Sequence, residues 1–142
     1  MKKIYESEVK NIGGRTGKSF SPDRSFAVDI APAKEISGVE TTATNPEQLF
    51  AAGYAACFHQ ALQSAFRRNN VQALYSDVTV FVALNMEPAD RSYEISVRIR
   101  ASIKGFSKED AEKYVAQAHT ICPYSKAIKG NVDVKLETVV IA

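Results

Sequence analysis

An α+β fold is predicted by three observations: a long helical signal opening at Asn45, a pair of alternating apolar/polar segments behind it, and a shorter helix followed by a last alternating strand. Together they describe antiparallel sheets packed on a long central helix and a second shorter one. With 142 residues and 45% apolar composition, the chain reads as a single domain over 1–142, able to bury about 70% of its unfolded surface.

The elements follow in order. Ile4, Val9 and Ile12 alternate weakly and suggest a first strand, and in "FAVDIA" Phe26, Val28 and Ile30 share one face. Between them "GGRTGKSFSPD" reads as a glycine-rich turn, and "KEISGVETTATN" as a polar connection without periodicity that crosses the surface. At Asn45 several signals coincide: Asn45 can cap, Pro46 suits the first helical position, and Gln48 stands where a capping-box partner reaches back. The helix is expected to run to Asn69 or Asn70, about 24 residues and about 36 Å. From Leu49 to Phe58 every side chain is apolar or glycine, so this half should be enclosed on all sides, whereas "QSAFRRNN" turns amphipathic. Next come "DVTVFVALNM" and "SYEISVRIRASIK", joined by "EPADR" as a hairpin; in the second, Tyr93, Ile95, Val97, Ile99, Ala101 and Ile103 alternate with polar residues. Ser107 with Asp110 opens the second helix, whose Ala111, Tyr114, Val115 and Ala118 form an inward stripe. Pro123 stops it beside Cys122, and "NVDVKLETVV" closes the chain as a strand.

The charge balance, 18 basic against 16 acidic side chains, offers no block that would neutralise many phosphates, which argues against nucleic acid. "MKKIYESEVK" has no apolar stretch behind its lysines, and nowhere do the ~18 consecutive apolar residues of a membrane helix occur. The expectation is a soluble, cytoplasmic protein without a membrane partner. Its only cysteines, Cys57 and Cys122, are too far apart for a CxxC pair and show no zinc-ligand spacing. No metal site is expected. Two thiols in a reducing compartment suggest transient redox chemistry more than a structural staple.

Cys57 lies in "AAGYAACFHQAL", the most apolar run of the chain. A buried cysteine is commonly a small core residue, and a free thiol with a pKa of about 8.5 is only a few per cent ionised at pH 7. Apolar surroundings make ionisation harder. The helix N-terminus is too distant to help, because its field fades within the first turn. Lowering the pKa by ~2 units requires about 2.7 kcal/mol, which one desolvated charge-assisted hydrogen bond of roughly 1.5–3 kcal/mol nearly provides. His59, two positions along the helix, points away from Cys57 and is read as structural. His119 near a helix end is read as serving the dipole. Arg15, flanked by glycines that allow tight turning, is either an ordinary solvated arginine or the missing cation. Glu47, in a first helical turn, is either a dipole partner or a functional carboxylate.

"NPEQLFAAGYAACF", "CPYSKAIKGNVDVKLE" and "GGRTG", in this order along essentially the whole chain, closely resemble the organic hydroperoxide resistance branch of the OsmC/Ohr family. The resemblance implies a thiol peroxidase that is an intertwined homodimer with two sites at the subunit interface. It implies Cys57 as peroxidatic and Cys122 as resolving thiol, Arg15 as the cation that ionises Cys57 and orients the peroxide, and Glu47 as the carboxylate holding Arg15. No bound cofactor is implied; dihydrolipoyl groups of a lipoylated protein reduce the resulting disulfide. Leu49, Phe50, Phe58 and Tyr124 become candidate pocket walls, with ordinary core packing as the alternative. The loop "KEISGVETTA" is less glycine-rich than in the family, which bears on the substrate entrance more than on the chemistry.

Glu47 and Cys57 are ten residues apart, about 15 Å along a straight helix and nearly a right angle around it, so one arginine would struggle to touch both. Either Arg15 and Glu47 reach Cys57 from the other subunit, or the helix is broken between them. Two other readings compete: an OsmC-type peroxidase of broader range, separated by comparing tert-butyl hydroperoxide with hydrogen peroxide, and a hydrophobic-ligand carrier whose cysteines are merely packed.

Overall fold

All residues, 1–142, are described by the structure, a computed structural model, and three short strands open it. These are β1 (Lys10–Ile12), β2 (Gly17–Phe20) and β3 (Ala27–Ile30), paired antiparallel in the order β1-β2-β3. The first strand is shorter than Ile4, Val9 and Ile12 suggest: residues 1–9 pair with nothing, and Ile4 and Val9 are exposed. The glycine-rich turn is interrupted, since Gly17–Phe20 pairs as a strand between a turn at 13–16 and a second one at 22–26. Polar residues in this stretch hide a real strand because Lys18 and Ser19 belong to a thin sheet that buries little. A one-turn helix, α1 (Lys34–Ser37), interrupts the otherwise exposed connection to Asn45 and ends on Gly38 in the left-handed region. Four residues are too few to show a helical period.

α2 (Pro46–Arg68) begins as the capping signals require: the Gln48 N–H donates to Asn45 Oδ1 at 2.8 Å. The Gln48 side chain accepts from the Thr44 hydroxyl instead of closing the box. The chain divides into two compact units, Met1–Leu49 and Phe50–Ala142, with α2 beginning in the first and continuing in the second.

In the second unit β4 (Tyr75–Met86) and β5 (Tyr93–Lys104) pair antiparallel in full register, Tyr75 with Lys104 through Met86 with Tyr93. β6 (Val134–Ile141) completes the sheet in the order β4-β5-β6, but it runs parallel to β5. The expectation of antiparallel sheets is therefore corrected for one strand of the six, and the connection explains it. α3 (Lys108–Ile121) and α4 (Pro123–Ile128) lie between β5 and β6, and a crossover through helices returns a strand in the same direction where a tight hairpin would reverse it. α4 is not expected from the sequence, because Pro123 reads as the stop of the preceding helix while it also suits the first turn of a new one.

Val97, Ile99, Ala101 and Ile103 of β5 face a core shared with Phe58, Leu62 and Phe66 of α2 and Ala111, Tyr114, Val115 and Ala118 of α3. Each fully buried large aliphatic or aromatic side chain here contributes about 1.5–3 kcal/mol. Ser107 caps α3, its hydroxyl accepting from the Asp110 N–H. On the outer face of the sheet Glu137 pairs with both Arg98 and Arg100, and Arg98 lies over the Phe81 ring.

The distribution of burial along α2 departs from expectation. Within Leu49–Phe58 only Tyr54 and Phe58 are fully buried, and Ala52 and Ala56 are exposed; the later half supplies Ala61, Leu62, Ala65 and Phe66 to the core. The apolar run has two kinds of face, and one chain covers only one of them. No helix is long and apolar enough to cross a membrane.

Candidate active site

Arg15 and Glu47 meet within the first unit. Gly13 and Gly14 adopt φ of +90° and +64°, and a Cβ on Gly17 would stand 1.9 Å from the Ile12 carbonyl oxygen. Only glycine allows this turn at those positions. Asn11 ties it from inside, accepting from the Gly14 N–H and donating to the Gly14 carbonyl. The turn presents Arg15, whose guanidinium donates to both Glu47 oxygens, Nη1 to Oε2 at 3.0 Å and Nη2 to Oε1 at 2.7 Å. This fork-on-carboxylate geometry is the strong form of an ion pair. Hydrogen bonding to Arg15 holds the Glu47 carboxyl below its usual range, and the same bonds raise Arg15. Glu47 is largely covered, with 14% of its side chain exposed, while 52% of the Arg15 side chain faces solvent. An anchored guanidinium with free edges can still meet an anion or a peroxide oxygen.

Cys57 and Cys122 meet within the second unit although 65 residues separate them: the thiols are free and their Sγ atoms are 3.5 Å apart. Cys57 projects from α2, half-buried, and Cys122 is fully buried. Pro123 sets the position of Cys122. The residue before proline is driven out of the helical region, so Cys122 is extended, with φ −61° and ψ 122°, closing α3 and opening α4 with Pro123 in its first turn. The Cys122 N–H completes α3 on the Ala118 carbonyl, and its carbonyl accepts from the Lys126 N–H in α4. First-turn N–H groups of a helix have no partner within it, and that of Tyr124 acts on the Cys57 sulfur in the sense that favours its thiolate. Burial nevertheless pushes the Cys57 thiol above its ordinary value, the Tyr124 N–H opposing and the Cys122 thiol adding to the rise. Within this unit nothing supplies the full charge that would reverse the shift.

α2 is unbroken from Pro46 to Arg68, which removes a helix break as the way to bring Arg15 and Glu47 to Cys57.

Of the candidate pocket residues, Phe50 and Tyr124 are in edge-to-face contact, ring centroids 6.0 Å apart, and Tyr124 also lies 5.5 Å from Tyr54. Gly53 makes the seat for Tyr124, since a Cβ there would stand 2.6 Å from the phenol oxygen. Phe58 is wholly buried in the core, Leu49 is half-buried at the end of the first unit, and Tyr124 remains 38% exposed. His59 is held by Ser76 of β4. His119 does more than serve a helix end: its Nδ1 is 2.9 Å from the Ser125 hydroxyl, which is also 2.6 Å from the Tyr54 hydroxyl. Tyr54 and Ser125 are residues that sequence reasoning missed. The available signal was the three-residue spacing of Tyr54 from Cys57, matched by that of Ser125 from Cys122.

Residues 38–137 match the family described as OsmC-like protein. The chain is 45% identical over 138 residues to an organic hydroperoxide resistance protein-like protein of Staphylococcus aureus, 96% of each chain being covered. Among solved structures it is similar to an organic hydroperoxide resistance protein of Legionella pneumophila, with a TM-score of 0.90 and 42% identity, covering 98% of this chain and 100% of that one. It is also similar to the organic hydroperoxide resistance protein OhrB of Bacillus subtilis, with a TM-score of 0.88 and 40% identity, covering 96% and 99%.

Proposed function

The chain belongs to the OsmC/Ohr family, whose named members imply organic hydroperoxide resistance, and from that premise we propose that it is a cysteine-based peroxidase reducing alkyl and lipid hydroperoxides to alcohols. One observation carries the reading: two free thiols, far apart in sequence, lie 3.5 Å apart with the outer one half-buried. A packed pair in a carrier has no need of that proximity.

The chemistry follows from what each atom can do. The Cys57 thiolate attacks the terminal peroxide oxygen, the O–O bond breaks, and the alkoxide takes a proton and leaves as alcohol, with Cys57 now a sulfenic acid. The Cys122 thiol then attacks that sulfur; an S–S bond forms, the S–O bond breaks, and the thiol proton leaves with the hydroxide as water. A dithiol donor, here a dihydrolipoyl group of a lipoylated protein, returns the two electrons and becomes a cyclic disulfide. Phe50 and Tyr124 supply an apolar wall suited to a bulky organic group.

Ionising Cys57 needs a cation, and the partner subunit's Arg15, held by the partner subunit's Glu47, fills that role in a homodimer. The uncovered side of the apolar run at Ala52 and Ala56, together with exposed Met1, Ile4, Tyr5 and Val9, supports a second copy as the cover. A cytoplasmic location fits two cysteines kept reduced between turnovers.

Mass spectrometry after one equivalent of an alkyl hydroperoxide tests the reading. The expected product is an intramolecular Cys57–Cys122 bond, seen as loss of two hydrogens and a single cross-linked peptide pair. Persistent free thiols would sink it.

A further inference from the structure

Beside the two sulfurs lies a second set of contacts, one turn away along α2 and just inside α4. Tyr54 stands one helical turn before Cys57 on α2, and Ser125 three residues beyond Cys122 in α4; residues three apart on a helix share a face. The Tyr54 and Ser125 hydroxyls are 2.6 Å apart, and Ser125 is also 2.9 Å from Nδ1 of His119, near the end of α3. Tyr54 is fully buried and Ser125 nearly so. A serine hydroxyl has one proton to give. Burial, and then the charge of Lys129, favour the neutral imidazole at His119, while burial keeps Tyr54 a neutral phenol. With Nδ1 accepting, donation runs one way, Tyr54 to Ser125 to His119, and no buried side-chain polar atom is left without a partner. A satisfied polar chain within an apolar core adds little stability over an apolar filling but fixes geometry.

We infer that Tyr54, Ser125 and His119 are positioning residues that lock the start of α4 against α2, so that Cys122 captures the Cys57 sulfenic acid before a second peroxide molecule does. This rests on the peroxidase reading. The sulfurs must close from 3.5 Å to a bond of about 2.05 Å, a short approach that the lock keeps in line. In this step Cys122 is oxidised, the sulfenic sulfur is reduced, and the thiol proton departs with the hydroxide as water. In the competing step a second hydroperoxide oxidises the sulfenic acid to sulfinic acid and leaves as alcohol.

The readout is the partition of oxidised Cys57 between disulfide and sulfinic acid, measured by peptide mass spectrometry at a fixed excess of cumene hydroperoxide. It is independent of how fast Cys57 first reacts. Tyr54→Phe and His119→Leu are expected to raise the sulfinic share about tenfold through lost alignment. His119→Asn, which keeps an amide near the Nδ1 position, should stay close to wild type. An unchanged partition in both disruptive variants, or an Asn variant as impaired as the Leu one, overturns the inference. Should Tyr54→Phe fail to fold, the half-buried His119 pair decides alone. A wild type in which neither thiol oxidises overturns the peroxidase reading itself, an outcome distinct from an unaltered partition.

Discussion

Replacing Cys57 with serine is expected to lower alkyl hydroperoxide consumption by about 10³-fold or more, because an alcohol at this position is neither ionised nor nucleophilic at neutral pH. Cys122→Ser separates the two thiols. It retains one fast equivalent, since Cys57 still attacks, and then stops turning over as the unresolved sulfenic acid is driven to sulfinic acid. Peroxide consumption under stopped flow, followed by peptide mass spectrometry, distinguishes the two variants. A Cys57→Ser protein that keeps the full function of the wild type, with no Cys57–Cys122 bond forming in the wild type after peroxide, would favour the carrier reading. The buried position of Cys122 makes a melting curve a necessary companion, because a hydroxyl there needs a partner.

The second large effect concerns Arg15. Burial raises the Cys57 thiol, so an uncompensated Cys57 is less ionised at pH 7 than a free thiol. Two pKa units of relief correspond to about 2.7 kcal/mol and about 10²-fold in thiolate. Arg15→Ala is therefore expected to cost at least that factor in the first step, and to move the titration of the thiolate absorbance upward, into the alkaline range. Raising the pH should restore part of the rate. Glu47→Gln should act in the same direction more weakly, since it loosens the guanidinium without removing its charge. The subunit of origin can be read by mixing the inactive Arg15→Ala and Cys57→Ser proteins. If Arg15 acts across a twofold interface, random reassortment restores about a quarter of wild-type activity. If Arg15 acts within its own chain, the mixture stays inactive.

The parts of the fold legible in the sequence are those with a period long enough to count. The alternation from Tyr93 to Lys104 and the stripe Ala111, Tyr114, Val115, Ala118 define β5 and α3; the α3 stripe is buried throughout, while in β5 the inward set is buried from Val97 onward, Ile95 is half-buried and Tyr93 at the strand's start is exposed. The capping residues at Asn45 and Ser107 locate two helix starts because the cap is a local hydrogen bond. What escaped was short or depended on distant connections. α1 and α4 are too brief to be periodic, Lys18 and Ser19 lie in a strand with almost nothing to bury, and the direction of β6 depends on the crossover before it. The uneven burial of the run around Cys57 was illegible because composition reports how apolar a helix is, not which of its faces its own chain covers. The pairing of Arg15 with Glu47 and of Cys57 with Cys122 came from family resemblance, for no local pattern joins residues so far apart. The Tyr54–Ser125–His119 chain joins side chains of three helices, and the three-residue spacing from each cysteine is its only mark in the sequence.

The position of Cys122 at the junction of α3 and α4 has a topological consequence. Joining it to Cys57 closes a covalent ring that contains the rest of α2, the β4–β5 hairpin and α3, and leaves the N-terminal unit, α4 and β6 outside as free arms. A ring closed across 65 residues removes conformational freedom from the unfolded chain worth about 4 kcal/mol. The oxidised protein should therefore melt at a higher temperature than the reduced one, which scanning calorimetry in the presence and absence of a dithiol can read. A reductant has to reopen a ring that the fold itself favours. A donor that closes a small ring of its own as it gives up its electrons is well matched to that exchange.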